Sequence, residues 1–232
     1  IPGHQRAIGK SGTAYIDDFE ASSTGIDIKN PGAWFLASLP NDPELFPESA
    51  LANQTPRLGN LNSGANRALI SWYNIDPVFY RNSSNTPSHI ASDDSQLANH
   101  NVREILEKEV FPNKDPQYAT QVSNLPVLNL YYNPNKRGPY NFDVDNITTS
   151  GLLLNPEDRW AGIMRKLETT DFEQQNIEFV EFWIMDPFND DAENQSGGQL
   201  ILNLGNVSED VLKDGFKSFE NGLPSSDFAE NV

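Results

Sequence analysis

Apolar and polar residues alternate in short runs that polar, proline-rich stretches interrupt, and this rhythm predicts strands far more than helices. The runs are Thr13 to Glu20, Trp34 to Ser38, Ala68 to Tyr73, Val127 to Tyr132, Trp160 to Leu167, Ile177 to Met185 and Gln199 to Gly205. In the sixth run Ile177, Phe179, Trp183 and Met185 fall on one face and Val180, Phe182 and Ile184 on the other. Two apolar faces predict a central strand covered on both sides, with Gln199 to Gly205 as its neighbour.

Helical periodicity is rarer. Val102, Ile105, Leu106 and Val110 share a helical face, with Asn101 and Glu104 in capping-box spacing before them and Pro112 after. This predicts a helix starting at Asn101. A second, shorter helix is expected over Glu209 to Lys213, capped by Ser208. Residues 41 to 100 read as a long irregular connection broken only by the Ala68 to Tyr73 strand, and Asn133 to Pro139 read as a turn cluster.

The resulting expectation is one mainly β domain over residues 1–232, a jelly-roll-like β-sandwich with one or two short helices and long loops. Sixteen prolines and fifteen glycines agree with frequent turns. Neither terminus reads as a natural boundary: Ile1-Pro2-Gly3-His4 lacks the pattern of a signal peptide, and Val232 closes no element. An internal segment of a larger protein is expected, without a membrane-spanning helix of its own.

The formal net charge of −17 turns the surface against nucleic-acid backbones and anionic lipid faces, which excludes nucleic acid as a partner class. With no cysteine, thiol catalysis, zinc thiolate sites and disulfides are excluded. His4, His89 and His100 sit in polar contexts without metal-ligand spacing, and no nucleophile elbow or phosphate-cradling glycine loop occurs. The chain therefore reads as a non-enzyme.

Asp17-Asp18-Phe19-Glu20 is the sharpest local feature. Strand alternation places Asp18 and Glu20 on one face, where two carboxylates can share a calcium ion. The same acids could instead cap loops or pair with Arg6 or Lys10. Asp186, Asn189, Asp190, Asp191 and Glu193 form a second acidic loop, without EF-hand spacing, that reads as solvated. Trp34, Trp72 and Trp183 lie in apolar runs and read as core, leaving Trp160 as the tryptophan expected to be exposed.

The Asp-Asp-Phe-Glu opening resembles the first strand of jelly-roll carbohydrate-binding modules, which implies a structural calcium at Asp18 and Glu20. A broader resemblance runs through the chain. Arg6 to Gly9 with Tyr15 to Glu20, Leu128 to Asn141, Arg159 to Arg165, Ile177 to Phe188, Leu204 to Gly215 and Phe219 to Pro224 are similar, in order, to a segment of the gliding-motility translocon family (SprA/Sov). That family resemblance implies a soluble, non-barrel insertion of a giant outer-membrane channel of type IX secretion and gliding motility. It also implies the translocon barrel, its accessory proteins and exported cargo as partners, and no catalytic residues. The residues alone leave a calcium-stabilised carbohydrate-binding module as the competing class.

Overall fold

The computed structural model describes residues 26–53, 62–113, 124–169, 171–173, 177, 179–188 and 197–211. The chain packs as two units, one built from Ile1–Asp27 and Leu167–Met185, the other from Ile28–Lys166 and Asp186–Val232. All regular pairing described here lies in the second unit.

Six strands are described: β1 (Phe35–Leu36), β2 (Ala68–Tyr73), β3 (Ile105–Leu106), β4 (Asn124–Leu125), β5 (Asn129–Arg137) and β6 (Ile163–Met164). They pair antiparallel as β1 with β6, β2 with β5 and β3 with β4. The three α-helices among the described residues are single turns: α1 (Ser88–Ala91), α2 (Asp94–Leu97) and α3 (Glu107–Val110). The fold is mainly β, in small antiparallel sheets.

The β2–β5 pair is the largest. Its register runs from Tyr73 opposite Asn129 to Leu69 opposite Asn133 and then jumps to Ala68 opposite Arg137. Pro134, Asn135 and Lys136 are thus looped out in a wide bulge. A bulge suits proline, which has no amide hydrogen to give a ladder. The freed Asn135 carbonyl accepts from the Leu153 amide at 2.8 Å, and Leu153 is buried. At the bulge's end Gly138 lets two backbones touch: a Cβ there would lie 2.1 Å from the Ala68 carbonyl oxygen. The sequence pattern predicts turn from residue 133 onward; the strand continues instead to Arg137, because Ala68 supplies a partner beyond the bulge.

The expected helix from Asn101 is shorter than its periodicity suggests. Glu104, the residue needed to close the capping box, accepts from the Asn124 side-chain amide at 2.7 Å and is ion-paired with Arg81. Ile105 and Leu106 then pair with Leu125 and Asn124 as strand. Only Glu107–Val110 completes a helical turn, and it ends before Pro112 as expected. Tertiary partners have overridden local propensity.

The irregular stretches are not idle connections. Within residues 81–100, Pro87 leads into α1, and Asp93 caps α2 by accepting from the Ser95 amide at 2.9 Å. Between residues 41 and 66, 3-10 turns over Pro47–Asn53 and Asn62–Gly64 carry Phe46, Glu48, Ser49 and Ser63 into buried positions or flank them there. Ser208 accepts from the Asp210 amide at 3.1 Å as a cap would; residues 208–211 do not form a helical turn, and Leu212 and Lys213 of the expected helix lie outside the described residues.

The two late apolar runs differ most from expectation. In the first unit, Phe179, Trp183 and Ile184 are 72%, 66% and 66% exposed, and residues 179–185 form no strand. In the second unit, residues 199–205 likewise form no strand, with Leu200, Leu202 and Leu204 exposed. Strand formation needs ladder partners as well as alternation, and among the described residues neither run has them. No helix of the described residues is long and apolar enough to cross a membrane.

Candidate functional site

Among the described residues of the second unit, the buried side chains include more polar groups than apolar ones. Arg67 is 1% exposed, and Glu48, Asn141 and Arg159 are buried with it, against a short apolar list of Leu39, Phe46, Ala68, Leu153 and Val211. Burying a charge is costly unless hydrogen bonds replace its water, so the geometry of this cluster decides whether the unit holds together.

Arg67 stands one residue before β2, bridged to Trp160 across an isolated parallel contact. The Trp160 amide donates to the Asn66 carbonyl at 3.1 Å, and the Ala68 amide donates to the Trp160 carbonyl at 2.8 Å. This short ladder sets the Arg67 guanidinium over the indole, 4.5 Å from the ring centroid. A cation stacked on an indole out of water recovers part of its desolvation cost. Phe46 meets the same indole edge-on, with centroids 5.3 Å apart.

Glu48 serves the cluster from the other side. Its Oε1 accepts from the Trp160 indole N–H at 2.5 Å, and its Oε2 accepts from the Asn66 amide at 3.1 Å. Burial pulls the Arg67 pKa down to about 10, while Glu48 and Tyr140 pull it back up. The guanidinium therefore stays charged at neutral pH.

Arg159 binds an adjacent set of oxygens. Its Nε and Nη2 both donate to the Leu154 carbonyl, at 2.9 and 2.7 Å, and its Nη1 donates to the Ala65 carbonyl at 2.8 Å and to Asn66 Oδ1 at 3.0 Å. Asp143 Oδ2 lies 3.8 Å from Nη1, with both side chains buried. Burial pushes the Asp143 carboxyl up, but donation from Asn146 and Asp145 and the Arg159 charge outweigh it and hold the pKa below the ordinary carboxylate value. Asn141 completes the set, donating to the Ala65 and Arg67 carbonyls at 2.9 and 2.7 Å. The Tyr132 hydroxyl on β5 donates to the Arg159 carbonyl at 2.6 Å.

Arg67 donates to the Ala37 and Val211 carbonyls and Arg159 to the Leu154 and Ala65 carbonyls, while Arg67 Nε is buried without a hydrogen-bond partner among the described residues. Each carbonyl belongs to a segment with little regular structure, so the guanidinium forks act as non-covalent cross-links between loops. These bonds tie segments distant in sequence to one another, as a structural joint would. No family model matches the chain, and no curated protein matches it significantly.

Asp18 and Glu20, the residues predicted to hold calcium, lie outside the described residues, as do Arg6 and Lys10. Of the second acidic loop only Asp186 is described; its carboxylate accepts from the Phe188 amide at 2.9 Å. Among the described residues no group of three His, Asp or Glu side chains gathers as a metal site. His89, on α1, and His100 are both exposed. Among the described residues, a shallow depression of about 470 Å³ beside α3 is lined by Val110, Phe111, Pro112 and Asn113.

The tryptophans exchange their expected roles. Trp160 is the packed hub of the buried cluster, whereas Trp183 is two-thirds exposed. Trp34 and Trp72 are tied by their indole N–H groups to the Ile28 and Pro31 carbonyls, at 2.8 and 3.1 Å. Sequence reasoning passed over Arg67, Glu48 and Asn141 as site residues. Arg67 carries one readable signal, a cation directly abutting the Ala68-Leu69-Ile70 apolar run.

Proposed function

We propose that this chain is a non-catalytic structural and interaction segment of an outer-membrane protein-export translocon of the SprA/Sov type, serving type IX secretion and gliding motility. It caps or lines the pore or docks a partner, in contact with the barrel, its accessory proteins and exported cargo. Its antiparallel pairs belong, on this reading, to a jelly-roll-like sandwich held in the cell envelope at the outer membrane.

One observation carries the reading. Tyr132, Asn141, Arg159 and Trp160 all come from Leu128 to Asn141 and Arg159 to Arg165, two of the stretches that resemble the family. Those residues meet in the buried cross-link. Two stretches of family likeness that meet in one buried cross-link support a structural role.

The test is removal of residues 28–211 from the full-length translocon, with barrel abundance in the outer membrane measured alongside release of cargo bearing the C-terminal signal. The expected outcome is an inserted barrel and lost or unregulated export. Normal export from a normally abundant barrel would overturn the proposal.

Exposed aromatics favour a second reading, a carbohydrate-binding module stabilised by calcium at Asp18 and Glu20. Phe179 and Trp183 offer the kind of exposed ring that stacks on sugars. Thermal unfolding with calcium and then with excess chelator tests the ion, since a ligand bound only by the folded state must raise the midpoint. Asp18→Ala and Glu20→Ala should abolish any shift, and an unchanged midpoint removes the calcium. Glycan-array binding that is lost with Trp183→Ala would favour this module over the translocon segment.

A further inference from the structure

Residues 99–110 carry two helical bends with an extended break between them. Asn99 caps the first: its Oδ1 accepts from the Asn101 amide at 2.9 Å, and its carbonyl accepts from the Val102 and Arg103 amides, both at 3.0 Å. The bond from Arg103 spans four residues, as in an α-helix. The second bend is α3, where the Glu107 carbonyl accepts from the Phe111 amide at 2.8 Å. Between them Ile105 and Leu106 are strand, although Val102, Ile105, Leu106 and Val110 would form one apolar stripe on a continuous helix.

The contacts at the break belong to the extended form. The Glu104 carboxylate is paired with Arg81 and accepts from the Asn124 side-chain amide. The Glu104 carbonyl, which a helix would give to the Lys108 amide, accepts instead from Arg103 Nη1 at 3.1 Å. Arg103 Nη1 also donates to Glu109 at 2.9 Å, six positions on, which a continuous helix would turn to its other side. These contacts are modest. β3 and β4 share two register pairs, and both ion pairs are partly exposed, where such pairs contribute little. Helix formation is opposed chiefly by nucleation, and here a helical bend already stands on either side of the break.

We infer that residues 99–110 are a helix–strand switch: withdrawal of Arg81 and Asn124 from Glu104 lets residues 104–106 turn helical and fuses the two bends into one helix. β4 then loses its partner, so the switch couples the conformation of this segment to pairing at Asn124–Leu125. This inference does not rest on the translocon reading.

The test compares the 232-residue chain carrying both Arg81→Ala and Asn124→Ala with its parent, through the backbone Cα chemical shifts of residues 102–110. The expected result is a change of sign at Glu104, Ile105 and Leu106, from the negative deviation of extended backbone to the positive deviation of helix, with α3 staying positive. Unchanged negative values would show that the β3–β4 ladder holds the break without Glu104. Values near zero would show a segment that loosens without becoming helical, and either result overturns the inference. Should the double variant fail to fold, Glu104→Ala withdraws the shared acceptor and places the strongest helix former at the break. Positive deviations at residues 104–106 then support the switch, and negative or near-zero ones refute it.

Discussion

The buried cluster around Arg67 and the exposed run from Phe179 to Met185 invert the ordinary arrangement of a protein. In the first, two guanidinium groups, a carboxylate and an amide are out of water; in the second, Phe179, Trp183 and Ile184 are in it. At Arg159 the difference shows burial following hydrogen-bond completion more than side-chain polarity, although Arg67 Nε is buried without a partner among the described residues. Arg159 is buried because three carbonyl or amide oxygens within 3.0 Å replace its hydration. The Phe179 to Met185 run has apolar side chains in plenty, but its backbone has no ladder partner among the described residues.

If that contrast is right, the largest effect should come from emptying the polar cluster. Arg159→Ala leaves the Leu154 carbonyl and Asn66 Oδ1 without this donor, and leaves the Ala65 carbonyl to Asn141 alone. It should cost about 3–5 kcal/mol in urea unfolding, the range for breaking a buried ionic network from one side. A cost near zero would mean that the cluster is solvated and the contrast false.

Gly138→Ala should follow, at about 2–3 kcal/mol, because the new methyl would meet the Ala68 carbonyl with no flexible side chain to yield. The same unfolding measurement checks it. A tolerated alanine would show that the bulge between Asn133 and Arg137 relaxes freely.

Asp143 sharpens the comparison through pH. Its folded pKa lies below the ordinary carboxylate value, so its stabilising contribution is complete above about pH 4 and is lost as the pH falls through the folded value. Asp143→Asn should therefore flatten the acid limb of a stability-against-pH curve while leaving the slope above pH 6 unchanged. An acid limb identical to that of the parent would remove Asp143 from the cluster's electrostatics.

The smallest effects are expected at the apolar surface. Trp183→Ser and Leu204→Ser should each change stability by no more than about 0.5 kcal/mol, as substitutions at exposed positions usually do. A loss of about 2 kcal/mol or more at either position would show that the run is covered in solution, and would restore the covered strand that its alternation predicts.

The parts of the fold legible in the sequence are those where a local pattern and its partner agree. Phe35–Leu36, Ala68–Tyr73, the start of Asn129–Arg137 and Ile163–Met164 all fall within predicted strands. Pro112 still marks the end of the helical turn at Val110. The same periodicity misleads at Ile105 and Leu106, which satisfy a helical stripe and a strand equally well until Leu125 and Asn124 supply a ladder. It misleads again at Trp160, where a preceding Pro-Glu-Asp-Arg turn suggests exposure but Glu48 and Phe46 close over the ring.

The candidate site was nearly invisible for a different reason. The acceptors of Arg67 are the carbonyls of Ala37 and Val211, and every residue carries a carbonyl. No residue type marks where the fork will land.

By itself the sequence determined the strand-rich character, the places where proline and glycine stop or bend an element, and the acidic surface. These depend on side-chain identity and on neighbours a few residues away. Only the tertiary structure decided which carbonyls face the two arginines, which tryptophan is packed and which apolar runs find a ladder. Those outcomes depend on backbone groups that are chemically alike at every position and become distinct only when distant segments are brought within hydrogen-bonding reach.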